Sequence, residues 1–181
     1  MKNIILITGG QRSGKSLYAE RLALSLDDNP VYMATSRIWD EEFRQRVEMH
    51  KSRRGQNWEN IEEEKFLSQH DVNGRVVVID CITLWATNFF FDLQADSMKS
   101  AKADAMHVEN TLNMLKEEFV KFTSQDATFI FVTNEIGSGG ISDNHTQRKF
   151  TDVEGWINQF IATNADKVIL MVSGIPITIK E

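Results

Sequence analysis

Residues 4–16 read IILITGGQRSGKS. Ile4, Ile5, Leu6 and Ile7 are apolar at odd and even positions alike, which suits a short strand buried on both faces. The segment Gly9 to Ser16 then matches G-x-x-x-x-G-K-[ST]. Leu17, Leu22 and Leu26, set among Glu20 and Arg21, continue it as a helical pattern. Strand, glycine loop and helix in this order form the context in which the motif holds phosphate. The glycines let backbone N–H groups turn inward, and the helix adds the positive end of its dipole. Gly9, Gly10, Gln11, Arg12, Ser13, Gly14, Lys15 and Ser16 are therefore candidate nucleotide-binding residues. Lys15 should reach the terminal phosphates as a catalytic cation, and the Ser16 hydroxyl should ligate Mg²⁺.

The rest of the chain repeats this alternation. Apolar runs at 31–34, 76–79, 128–132 and 168–172 read as strands, and 15–26, 39–54, 97–123 and 152–164 read as helices. The pattern predicts a three-layer α/β fold around a mostly parallel sheet. The tail differs: 168–173 and 177–180 flank Gly174-Ile175-Pro176, which predicts an antiparallel hairpin. No repeat or linker interrupts 1–181, so one domain is expected. The stretches 55–60 and 137–145 should be the least structured.

Asp80 closes the run Val76-Val77-Val78-Ile79. An acid at the tip of an apolar strand is the usual second Mg²⁺ contact in phosphate-loop proteins. Cys81 follows and reads as a small buried thiol. It is the only cysteine, so neither an intrachain disulfide nor a multi-cysteine zinc site can form. A net charge of −6 over 181 residues argues against nucleic acid as partner. No window approaches the roughly 18 apolar residues of a membrane span, and a cytoplasmic location is the expectation. A GTPase switch is disfavoured, because Asn134 is followed by Glu135, not by the lysine of an N-K-x-D motif. Asp152-Val153-Glu154-Gly155 spells D-x-x-G, but late in the chain, and reads as coincidence.

One charged segment stands apart. In 44–54, Arg46, His50 and Arg53 or Arg54 share a helical face. Such a face suits a triphosphate, with the imidazole as nucleophile and the arginines balancing phosphoryl charge. A solvated charged helix accounts for the same pattern, and spacing alone leaves both open.

Blocks along the whole chain decide between them. TGGQRSGKS at 8–16, Ala34-Thr35-Ser36, Arg46 to Arg54 with His50-Lys51, and Asp80-Cys81-Ile82-Thr83-Leu84-Trp85 come first. Val132-Thr133-Asn134-Glu135, Arg148-Lys149-Phe150, Asn158-Gln159 and Val172-Ser173-Gly174-Ile175-Pro176 follow. In these blocks the chain resembles the adenosylcobinamide kinase/adenosylcobinamide-phosphate guanylyltransferase family of cobalamin biosynthesis. The resemblance implies a RecA-like phosphate-loop NTPase fold. It implies two reactions: phosphorylation of adenosylcobinamide by ATP or GTP, then transfer of GMP from GTP to the product. Adenosylcobinamide-GDP and pyrophosphate result. It further implies His50 as the residue that carries GMP covalently. Thr35, Ser36, Arg46, Lys51, Arg53, Arg54 and Asp80 join the phosphate loop as nucleotide-binding residues. A small homo-oligomer is implied, with a trimer as the family form.

Two departures are visible. Met49 stands before His50 where some relatives carry a second histidine, and Gly139-Gly140-Ile141-Ser142 lacks the family's proline. Glu135 is a candidate to orient the accepting hydroxyl or a metal-bound water. His70 and His145 read as loop residues and His107 as a packed helix residue. Trp85, Phe89, Phe90 and Phe91 read as core or subunit interface. The competing readings are a small-molecule kinase without guanylyl transfer and a non-catalytic nucleotide-binding module.

Overall fold

In a computed structural model, the first aliphatic run forms β1 (Asn3–Gly9), from which the sheet is built outward. The structure describes residues 1–38, 41, 44, 45, 48, 49, 54–94 and 101–181, with the side chains of 94 and 101–103 left aside. α1 (Lys15–Leu26) follows the loop, then β2 (Val31–Ala34), β3 (Glu59–Glu62) and β4 (Val76–Asp80). α2 (Ile82–Gln94), α3 (Ala101–Phe122), β5 (Thr128–Val132) and α4 (His145–Asn164) come next. β6 (Lys167–Val172) and β7 (Ile175–Lys180) complete the sheet, whose order is β3-β2-β4-β5-β1-β6-β7.

β1 to β6 run parallel and β7 pairs antiparallel with β6, as the alternation and the tail predict. Period-two alternation divides the strands between two cores. Ile4, Leu6, Met33, Val77, Ile79, Phe129 and Phe131 face α2, α3 and α4. Ile5, Ile7, Val78, Ile130, Val132 and Met171 face α1. The larger core is aromatic: Phe119 lies 5.2 Å from Phe131 and 5.7 Å from Phe160 between ring centroids. Burying one such side chain contributes about 1.5–3 kcal/mol.

Several expectations need correction. α2 is a helix that the hydrophobic periodicity does not predict, because ITLWATNFFFDLQ is rich in β-branched and aromatic residues and apolar nearly all round. Trp85, Phe89 and Phe90 from it are buried, as a core assignment requires, while Phe91 is exposed. Residues 59 and 60 are strand, not loop: β3 is a polar edge strand with only Ile61 half-buried. His145 begins α4, seven residues before the predicted start, because the Asn144 side chain caps the helix by accepting from the Gln147 N–H at 3.0 Å. The hairpin turn is Ser173-Gly174, both at positive φ, and Pro176 lies within β7 opposite Met171. Proline is tolerated there because β7 is an edge strand. Of the expected 39–54 helix, residues 41, 44, 45, 48, 49 and 54 are helical. Among the described residues no helix is long and apolar enough to cross a membrane.

Candidate active site

The tips of β1, β2, β4 and β5 meet at one end of the sheet, and the phosphate loop leaves β1 there. Gly9 sits at φ +149 beside β6, where an added Cβ would stand 2.5 Å from the Met171 carbonyl oxygen. Only glycine fits that approach. Gly14 caps α1 in the left-handed region, and the first turn of the helix carries no acidic residue. The leading N–H groups and the dipole are thus left for an anion. The Lys15 Nζ folds back on the loop, donating to the Gly10 carbonyl at 2.6 Å and to Ser13 Oγ at 3.5 Å. Burial lowers the Lys15 pKa, against the opposing pull of Cys81, Asp80 and Glu154. Ser13 is buried, Ser16 is half-buried, and Gln11 and Arg12 are exposed, Arg12 at φ +57.

Asp80 ends β4 opposite Ala34 of β2 and Val132 of β5. Its Oδ2 accepts from the Tyr32 hydroxyl at 2.8 Å. Burial and the Asp80 charge hold the Tyr32 pKa well above the usual value, so the phenol keeps its proton. The Arg54 guanidinium lies 3.5 Å over the Tyr32 ring and donates to Asn60 Oδ1 at 3.0 Å, while its Nε and Nη1 are buried with no partner among the described residues. A buried cation with two unmet donors beside the Asp80 cluster suits a phosphate oxygen. Among the described residues no three of His, Cys, Asp or Glu are placed to hold a metal. Ser16 with Asp80 is a sparse oxygen set, of the kind Mg²⁺ uses when substrate phosphates and water complete its shell.

Thr35 follows β2. It is fully buried, and its hydroxyl donates to the Cys81 carbonyl at 2.8 Å and accepts the Cys81 N–H at 3.0 Å. Its side chain ties the end of β2 to the end of β4. Ser36, half-buried, follows it. Cys81 is inert by environment: burial pushes its thiol up to about 12. Glu135 is exposed after β5, and its N–H donates to the Gly9 carbonyl at 3.0 Å, which places it at the mouth of the phosphate loop. His50, Arg46, Lys51 and Arg53 lie outside the described residues. His70 pairs with Glu63, His145 with Asp104, and His107 packs 4.5 Å from the Phe90 ring, all away from this cluster.

Sequence reasoning missed Tyr32, Thr83 and Glu154. Glu154 lies inside the apolar stripe Phe150, Val153, Ile157 and Ile161, and an acid at that helical phase was a legible signal.

Comparison with known proteins places the chain. The family model described as cobinamide kinase / cobinamide phosphate guanyltransferase matches residues 5–179. The bifunctional adenosylcobalamin biosynthesis protein CobU of Escherichia coli (strain K12) is 35% identical over 98% of this chain and 99% of its own. The CobU of Salmonella typhimurium (strain LT2) is 34% identical, again over 98% and 99%. The bifunctional adenosylcobalamin biosynthesis protein CobP of Pseudomonas aeruginosa is 33% identical over 97% of this chain and 96% of its own.

Proposed function

The chain belongs to the cobinamide kinase / cobinamide phosphate guanyltransferase family, and from that premise we propose how its residues divide the work. It is a bifunctional enzyme that phosphorylates cobinamide and then guanylylates the phosphate. One observation carries the assignment of the site. Lys15 is buried and, among the described residues, hydrogen-bonds only within its own loop, at a helix start free of acids and beside the acid-tipped β4.

When a triphosphate enters, the loop N–H groups take its oxygens and Lys15 exchanges the Gly10 carbonyl for the terminal phosphates. Ser16 and Asp80 are the residues that would hold Mg²⁺, which supplies charge neutralisation of the phosphate chain. Arg54 offers its unmet donors to phosphate. In the kinase step, the corrinoid's hydroxyl attacks the γ-phosphorus, the nucleoside diphosphate leaves, and the exposed Glu135 carboxylate accepts the hydroxyl proton. In the transferase step, a His50 ring nitrogen attacks the α-phosphorus of GTP, an N–P bond forms, and pyrophosphate departs. A phosphate oxygen of the phosphorylated corrinoid then displaces the imidazole, giving adenosylcobinamide-GDP. The arginines of 46, 53 and 54, with Lys51, balance the charge on the moving phosphoryl groups.

We read the enzyme as cytoplasmic and homo-oligomeric, a trimer by family resemblance. The exposed Ile175, Ile177 and Ile179 on edge strand β7 support self-association. Incubation with α-labelled GTP followed by denaturation tests the scheme. A covalent GMP adduct, acid-labile and base-stable, should form and vanish in His50→Ala. Its absence from the intact enzyme overturns the His50 assignment.

A further inference from the structure

Glu154 lies on the sheet-facing side of α4, with 0% of its surface exposed. Half of its carboxylate is satisfied. Oε1 accepts from the Thr83 hydroxyl at 2.5 Å, while Oε2 is buried and has no partner among the described residues. Thr83 has one proton and gives it to Glu154, so its oxygen is left to accept. It accepts twice from Asn134, from the backbone N–H at 3.0 Å and the side-chain amide at 3.2 Å. The Asn134 carbonyl accepts from Asn158 at 3.2 Å, and the Thr133 hydroxyl donates to Asn158 Oδ1 at 2.7 Å. The hydrogen bonds therefore run from α4 through α2 to the tip of β5, where Glu135 meets the Gly9 carbonyl.

The charged and titratable groups that face Glu154 come from three further elements. Among the described residues they are Lys15 at the start of α1, Glu135 after β5 and Cys81 after β4, each within electrostatic reach of its carboxylate. Glutamine could make the same bond to Thr83. It could not change its charge.

We propose that Glu154 is a positioning residue that fixes the β5 tip through Thr83 and takes up a proton from solvent when a nucleoside triphosphate occupies the phosphate loop. The inference rests on the assignment of residues 9–16 as the nucleotide site. In the free enzyme the field of Lys15 supports the ionised carboxylate. Bound phosphates turn that charge to their own use and add negative charge beside Glu135, while Oε2 has no donor to replace the support. Burial has already pushed Glu154 up to about 7; Thr83 pulls it down, Glu135 adds to the rise and Lys15 opposes it. A small further rise therefore carries it across neutral pH. By linkage, lower pH then strengthens triphosphate binding by the same factor.

The test is isothermal calorimetry of GTP with Mg²⁺ on the full chain at pH 7.5, in buffers of differing ionisation enthalpy. A rise of about one pH unit on binding predicts that wild type takes up about 0.5 proton more than Glu154→Gln. The wild-type Kd should also weaken several-fold more than the variant's between pH 7 and 8.5. Equal proton counts with intact GTP binding overturn the inference alone. Absence of GTP binding to the wild type, or unchanged binding in Lys15→Ala, overturns the phosphate-loop assignment and the inference with it. Should Glu154→Gln fail to fold, infrared difference spectra of the wild type serve in its place. GTP should raise a protonated-carboxyl stretch that moves when the glutamates carry ¹³C, and no such band overturns the proposal.

Discussion

Glu154→Gln should flatten the dependence of stability on pH in the nucleotide-free enzyme. The ordinary value of this carboxyl is 4.5, and burial in the folded chain pushes it up to about 7. The folded state therefore binds the proton more tightly than the unfolded state. Stability from the protonated form is complete below 4.5 and is lost as pH rises through about 7. At about 1.4 kcal/mol per pH unit, that interval amounts to about 3 kcal/mol. Because the side chain is wholly buried, solvent screening removes little of it. For a chain of 181 residues, about 3 kcal/mol corresponds to a Tm change of roughly 6–12 °C. Urea unfolding at intervals from pH 4.5 to 8 checks this on both proteins. The glutamine variant carries a constant offset, and the wild type should lose about 3 kcal/mol more than the variant across the range. Parallel curves, or a wild type that gains on the variant as pH rises, would refute the reasoning.

Other perturbations have equally definite outcomes. Gly9→Ala would place a methyl 2.5 Å from the Met171 carbonyl oxygen at φ +149. It should cost about 3 kcal/mol in thermal unfolding and abolish GTP binding by displacing the loop. Thr35→Val keeps the shape but leaves the buried Cys81 N–H without its acceptor. A loss of about 1–3 kcal/mol is expected, together with a fall in kcat that nucleotide saturation does not restore. Phe119→Ala empties the centre of the aromatic core and should lower the urea midpoint by the equivalent of about 3–5 kcal/mol with an unchanged slope.

The parallel core and the phosphate loop were legible because each rests on a local rule. Short runs such as VVVID read as buried strands, and Gly9 to Ser16 carries its geometry in its glycines. α2 was opaque for the opposite reason: Trp85, Ala86, Phe89 and Phe90 bury most of its surface, so no polar face marks a period. β3, with Glu59, Asn60 and Glu62, owes its strand to pairing with β2, not to its own composition. At the site, motif residues were identifiable but their division of labour was not. Thr35 belonged to a matching block, yet only its bonds to Cys81 show that it holds two strands together. Glu154 reads as part of a chance D-x-x-G and as an acid within an apolar stripe, and its bond to Thr83 shows that it shares a network with the phosphate end of the sheet.

β1 has a consequence for the order in which the enzyme is made. Its neighbours are β5 and β6, the Ile4 N–H donates to Asp166 across 162 positions, and the Ser13 carbonyl accepts from Gly174. The glycine loop at 9–16 leaves the ribosome well before the strand and turn that brace it. At about 5–20 residues per second, those 162 positions correspond to roughly 8–30 s of translation. Through that interval the glycine loop has no wall to lean on, and nucleotide cannot hold a nascent chain together. Nucleotide binding is thus a property of the finished sheet, and it reports completed folding more faithfully than helix content does.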